Sequence, residues 1–325
     1  MSLHKLIDQD ELFKELNSRY QPRLNRIEKW TPGFSLNLVK EIPNIPLEYS
    51  PSSEGLVAIK LAPFVTSCIV FAKEAITSFV LLWRNRQFLT FIFPARLLFE
   101  IWASTYYAKK ILSEMKETGN VKNALEESDR LVLGTLSEVI APWGEKPLEI
   151  ASIRTDRKIS TLKEIYPKAD VSWGFLSESV HLSFIQLIYW FSINFNTNPI
   201  FKQHIHELMD QTLELIEQSL EGIAKATGES LELALPYIRI DSKGLRVGEV
   251  TKFYRLPGVV EIKLSGTIKV GDTLCFKRGT NLFFQTIESI EMNNRRVKAA
   301  NLGEIIGIKI SKRIKPKTEV FLIDD

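Results

Sequence analysis

Arg96 and Glu100 stand four residues apart in one of the most apolar stretches of this chain, among Phe91, Ile92, Phe93, Leu97, Leu98, Phe99 and Trp102. In a helix that spacing puts both side chains on one side. Ser177 and His181 repeat the spacing in a second apolar stretch, which continues through Phe184, Ile185 and Ile188. Four polar groups aimed into an apolar interior could form a site, with His181 as acid or base and Arg96 holding an anion. They could equally form a satisfied network that joins helices, because a buried charge must be paired and Glu100 is the obvious partner of Arg96. At the level of sequence both readings stand.

The other chemistry-bearing residues exclude more than they suggest. His204, His206, Glu207 and Asp210 look superficially like a zinc helix. Residues two apart point to different faces, however, and Asp210 stands where His-Glu-x-x-His needs its second histidine, so no metal is expected. Cys68 and Cys275 are the only cysteines and lie far apart, which gives neither a disulfide framework nor a thiolate site and suits a reducing cytoplasm. Nucleophile elbows, Cys-x-x-Cys pairs, Rossmann glycine loops and the phosphate-binding Gly-x-x-x-x-Gly-Lys-Ser/Thr loop are all missing. Nucleotide hydrolysis is therefore not expected, nor is any cofactor.

The elements that carry these residues follow from periodicity. Up to about Gly228 apolar residues recur at three and four, which predicts helices at about 8–18, 53–83, 87–115, 121–140, 156–166, 171–194 and 199–227. Ser52 or Ser53 caps the second of these, with Glu54 in its first turn, where the macrodipole favours a carboxylate. Pro32, Pro43, Pro46 and Pro51 exclude regular helix before it. The apolar runs 61–72, 88–99 and 184–195 are each about a dozen residues bounded by charge, shorter than the ~20 that a membrane span needs, and so read as buried core. The N-terminus is charged from Lys5 and has no apolar leader, so a cytoplasmic protein without integral membrane insertion is expected.

After Ser242 the period changes. Short Val/Ile/Phe-rich runs at 245–253, 259–264, 273–277, 282–292, 305–310 and 319–323 are separated by Gly, Pro and Asn. Six such strands suit a closed barrel, which leaves no sheet edge exposed. The division predicted is thus a helical domain over 1–229, a Pro-containing linker over 230–242 and a β-barrel over 243–325, an α+β multidomain chain.

Val247-Gly248-Glu249-Val250-Thr251, the run from Gly266 through Val270-Gly271-Asp272 to Leu274, the run from Gln285 to Ile290, and Gly303-Glu-Ile-Ile-Gly-Ile308 together resemble domain 2 of elongation factor Tu and its relatives in order and spacing. The Val270-Gly271-Asp272 turn reverses the chain, and Gly303 and Gly307 permit bends where a barrel closes. In those relatives the barrel packs on a GTPase domain and touches RNA or the ribosome. Similar barrels also occur as C-terminal appendages of collagenase-like peptidases. In the helical part, Arg96 with Glu100 followed by Ser177-x-x-x-His181 is similar to a pattern in a family of uncharacterised helical bacterial proteins, which brings no established activity. The Arg-then-His pair that HEPN ribonucleases need is absent.

Charge divides as the elements do. The net charge is +3, yet from Asp241 onward there are 16 Lys and Arg against 10 Asp and Glu, whereas the rest carries 26 against 29. Lys252, Arg255, Lys277, Arg278, Arg295 and Arg296 fall in or beside turns, where they could neutralise phosphates while Phe253 and Tyr254 stack on a base. The sequence therefore reads first as a non-GTPase accessory protein whose barrel docks on RNA, the ribosome or a protein partner. The alternative is an enzyme acting on RNA or a phosphorylated small molecule at Arg96, Glu100 and His181.

Overall fold

The computed structural model describes residues 9–32, 52–85, 92–132, 152–180, 199–293 and 295–323. Helices come first, α1 (Gln9–Glu28), α2 (Ser53–Arg84), α3 (Ile92–Thr118), α4 (Val121–Val132), α5 (Thr155–Leu162), α6 (Ala169–Val180) and α7 (Pro199–Lys243), and strands follow.

Several helices outrun the signals that should have stopped them, and in each a buried stripe explains why. α1 continues through Pro22 because Leu16, Tyr20, Leu24 and Ile27 are all essentially buried at helical spacing. α7 continues through Gly228 and Pro236, so the stretch 230–242, read above as a linker, is helical. Leu220, Ile223, Leu231, Ala234, Leu235 and Ile238 keep one face buried across both breakers. Burying a large aliphatic side chain is worth ~1.5–3 kcal/mol, and several of them outweigh the ~1 and ~3 kcal/mol that Gly and Pro cost inside a helix.

The helix ends obey local chemistry. Ser52 caps α2, its Oγ accepting the Gly55 N–H at 3.1 Å. α3 stops at Gly119, whose φ of 73° lets its N–H bond back to the Met115 carbonyl. Pro94 lies in the first turn of α3, where a missing N–H costs nothing. α2 is 32 residues long with an 18-residue window of mean hydropathy 2.0, long and apolar enough to cross a membrane, which the separate reading of its apolar run missed. Half of that window is buried in the protein, as in a core helix.

The strands are β1 (Gly244–Tyr254), β2 (Val259–Leu264), β3 (Ile268–Lys269), β4 (Thr273–Arg278), β5 (Asn281–Thr286), β6 (Ile290–Met292), β7 (Arg295–Val297), β8 (Ala299–Ala300), β9 (Ile305–Lys309) and β10 (Glu319–Ile323). Eight of them form one antiparallel sheet in the order β5-β4-β10-β1-β2-β9-β6-β7, and β3 pairs with β8. β5 and β7 are the edges of the ladder, so the expected edge-free closure is not made by backbone pairing. Side chains contribute instead: Gln285 of β5 donates to the Lys309 carbonyl at 2.8 Å and accepts the Ser311 N–H at 3.0 Å.

One core serves the sheet, with Val247, Val260, Ile262, Phe276, Ile290, Ile308 and Val320 buried in it. Gly271 (φ 98°) and Gly303 (φ 89°) take left-handed turns as their sequence context predicts, whereas Gly307 lies within β9.

The chain packs as two compact units whose boundaries cut across helices: 1–37, 63–110 and 130–230 form the first, 38–62, 111–129 and 231–325 the second. The second unit therefore holds the sheet together with the ends of α2, α3 and α7 and most of α4. Within it Asp241 accepts both the backbone N–H and the hydroxyl of Ser52, Tyr237 donates to the Thr280 carbonyl, and Lys277 lies 3.8 Å from Glu54.

Candidate functional site

In the first unit α3 carries a polar stripe through its apolar length: Arg96, Glu100 and Ser104, at intervals of four. Arg96 and Glu100 meet at 3.5 Å with about a third of each side chain exposed (32% and 33%), so the expected buried pair is a half-exposed one. The reason is Trp173 of α6. The Arg96 guanidinium stacks 4.7 Å above its indole, so the stem is covered while the charge stays near water.

Ser177, one turn beyond Trp173, has a buried hydroxyl with no hydrogen-bond partner among the described residues. His181 lies outside the described residues.

Lys158 of α5 is the residue that sequence reading passed over. Its Nζ donates to Ser104 Oγ at 3.0 Å, and Ser104 is only 8% exposed. Burial pushes the Lys158 ammonium below the usual lysine value, with Glu100 opposing that shift. Among the described residues Lys158 makes no ion pair, so its hydrogen bond goes to a neutral hydroxyl.

Cys68 of α2 also senses the Lys158 charge, yet burial pushes its thiol up to about 12, which leaves no thiolate near neutral pH. The arrangement therefore sets a serine hydroxyl beside an amine whose charged form burial disfavours. Two signals in the sequence would have pointed here. Ser104 continues the Arg96–Glu100 spacing by one more turn, and Lys158 precedes the buried Ile159 in an amphipathic helix.

An apolar groove of about 410 Å³ runs between α2 and α3, lined among others by Phe71, Glu74, Ser78 and Leu82 of α2 and by Phe93 and Leu97 of α3. The zinc-like set is committed elsewhere. His206 contacts the Tyr20 hydroxyl and Glu15, both at 3.1 Å, and Asp210 pairs with Arg19 and Arg23. The His204 side chain lies outside the described residues.

The six basic residues of the sheet have different surroundings. Lys277 is largely buried against Glu54, Arg278 donates to the Pro316 carbonyl and Lys252 sits over the Tyr254 ring. Arg296 faces Glu291 across the β6–β7 pair, with Arg295 opposite Met292, and Arg255 lies in the β1–β2 turn. Phe253 packs on the core, and the Tyr254 hydroxyl donates to Glu261.

An α+β chain of a helical region and an antiparallel C-terminal sheet is the class that this architecture defines. No family model matches the chain. It is similar to an uncharacterized protease of Methanocaldococcus jannaschii, 29% identical over 82 residues, which are 25% of this chain and 20% of the relative. The chain thus spans about a fifth of that relative.

Two crystal structures of the C-terminal domain of a candidate U32 peptidase from Geobacillus thermoleovorans also match. Each is 20% identical, with TM-scores of 0.23 and 0.24, covering 23% and 24% of this chain and 96% and 92% of theirs.

These findings correct two expectations. The sequence similarity found is to a segment of an uncharacterized protease and not to domain 2 of translation GTPases, which overturns that expected resemblance and, with it, the non-enzymatic RNA or ribosome binder that was expected.

Proposed function

We propose that the chain is a hydrolase of peptidase type in which Ser104 is the nucleophile and Lys158 its general base. The observation that carries this reading is the 3.0 Å hydrogen bond between a half-buried amine and a buried hydroxyl. The protease similarity of one segment supports the reaction class.

A serine hydroxyl attacks a carbonyl only as its proton leaves, and a lysine can take that proton only when neutral. Burial supplies neutral lysine at a pH where an exposed one would stay charged. Ser–Lys pairs of this logic occur on unrelated folds. In the proposed cycle Ser104 Oγ bonds to the substrate carbonyl carbon while Lys158 Nζ takes its proton. The C–N bond then breaks, Lys158 returns the proton to the leaving amine, and water releases the acyl group from Ser104 by the same route. Glu100 favours the charged form of Lys158 and so sets the pH at which the cycle starts.

The test is covalent. The full chain is incubated with a fluorophosphonate probe and its mass measured before and after digestion. One adduct on the peptide that holds Ser104, lost in Ser104→Ala, is the expected result. An unmodified chain, or an adduct that persists in Ser104→Ala, would leave the Lys158–Ser104 bond as a structural tie between α3 and α5.

A further inference from the structure

Further cations of the second unit fall in one short stretch between β9 and β10. From Lys309 to Lys317 there are five Lys and Arg and no Asp or Glu. Ile310, Ile314 and Thr318 are buried at intervals of four and pin the stretch to the sheet. Lys309, Lys312, Arg313, Lys315 and Lys317 lie between these anchors and are all exposed.

Backbone bonds hold this stretch beside the β1–β2 turn. The Ile310 N–H donates to the Gly258 carbonyl at 2.9 Å, and the Lys317 N–H to the Val250 carbonyl at 2.8 Å. The turn adds Lys252 and Arg255, both exposed. Among the described residues none of these cations forms an ion pair, whereas Arg246 and Lys277 of the same unit do. Glu261, on the neighbouring strand β2, is engaged by the hydroxyls of Thr251 and Tyr254.

At the tip of the same turn stands Leu256, 92% exposed, more than any other large apolar side chain among the described residues. The turn is closed behind it, the Gly258 N–H donating to the Tyr254 carbonyl at 3.0 Å. An apolar tip beside unpaired cations combines the two forces that draw a protein to an anionic bilayer, burial of apolar surface at the headgroup boundary and attraction to the lipid charge.

We propose that this end of the sheet docks on an anionic lipid surface, with Leu256 entering the headgroup boundary and the cations of the turn and of 309–317 facing the lipid charges. The surface shares no residue with the Ser104–Lys158 pair. Two other anionic partners suit the residues less. A nucleic acid offers nothing to Leu256, and the aromatics that would stack on a base are engaged, Phe253 in the core and Tyr254 under Lys252. An acidic protein would need a pocket shaped to one leucine, whereas a bilayer accepts an apolar tip without a matching shape.

Binding of the full-length chain is measured by co-sedimentation with vesicles of phosphatidylcholine alone or mixed with phosphatidylserine. The expected result is capture by the mixed vesicles only, falling as salt screens the charges. Each Lys or Arg near an anionic surface contributes on the order of fivefold in affinity, so Arg313→Glu with Lys315→Glu should weaken capture at least about 25-fold. Should that reversal unfold the chain, Arg313→Gln with Lys315→Gln is read in its place. Leu256→Ser should weaken capture several-fold and leave its salt dependence as it was. Lys269→Glu, an exposed cation before β4 rather than in either loop, should alter it little.

No capture at low salt, equal capture by both kinds of vesicle, or capture that Leu256→Ser and the charge variants leave unchanged would each overturn the surface. Tighter binding to polyglutamate or to single-stranded RNA than to the mixed vesicles would assign the cations to an acidic protein or a nucleic acid and also overturn it. None of these outcomes bears on the probe adduct on Ser104, so the surface and the nucleophile fail separately.

Discussion

Two half-buried lysines occupy the two units, and they differ in what answers their charge. Lys277, in the second unit, has a carboxylate, Glu54, at 3.8 Å, and the polar groups nearby are matched in the same way, Asp241 with Ser52 and Tyr237 with a backbone carbonyl. Lys158, in the first unit, donates to a hydroxyl and has no ion pair among the described residues. An ammonium desolvated without a close carboxylate gives up its proton more readily, as burial favours for Lys158. The comparison teaches that burial alone does not mark a site. The mismatch between burial and partners does.

The largest expected effect breaks the comparison on its chemical side. Lys158→Met keeps an apolar stem of similar length and removes the amine. Labelling of Ser104 should slow at least about 100-fold, the usual scale for loss of a general base. The urea midpoint should hold or rise, because an unpaired ammonium no longer has to be desolvated. The corresponding Lys277→Met, which leaves Glu54 unanswered, should lower the midpoint and leave labelling unchanged. If the two lysines exchange these outcomes, the assignment is inverted.

Packing around the cluster comes next. A Cβ placed on Gly222 would lie 2.0 Å from Trp102 Nε1 and 2.1 Å from its Cε2. Gly222→Ala should therefore cost about 1–3 kcal/mol by overpacking and alter the tryptophan fluorescence. A loss of comparable size is expected in the second unit. Asp241→Ala removes an acceptor of two hydrogen bonds and should cost about 1.5–3 kcal/mol without altering the labelling rate. Smallest is Glu100→Ala. A pair at 3.5 Å with each side chain a third exposed is worth at most about 1 kcal/mol, well below the loss that a buried partner would cause. Denaturant midpoints of the three variants rank these effects.

The sequence carried the helical and β halves of the chain because their periods differ, and it carried the Ser52 cap and the Gly271 turn because each depends on a few neighbouring residues. It misplaced the end of α7 for the converse reason. Gly228 and Pro236 are local breakers, and the buried faces that overrule them are set by residues remote in sequence. The surroundings of the six basic residues were likewise beyond composition: only the fold reveals that Lys277 lies against Glu54, that Arg278 donates to the Pro316 carbonyl and that Arg295 and Arg296 belong to an edge strand. The candidate site was half legible. Arg96 and Glu100 lie on one helix, so spacing found them. The Lys158–Ser104 contact spans 54 residues and two helices, which no local period reports.

The central claim, that Lys158 is the base for Ser104, is tested most directly by the rate of probe labelling as a function of pH. Burial holds the Lys158 ammonium below the ordinary lysine value, and the neutral amine is the working form. The rate should therefore rise with pH along a single ionisation that lies below that of an exposed lysine. Glu100 raises the Lys158 value, so Glu100→Gln should move the rise to lower pH. A profile that follows the ordinary lysine value, or one that Lys158→Met and Glu100→Gln both leave in place, would contradict the account.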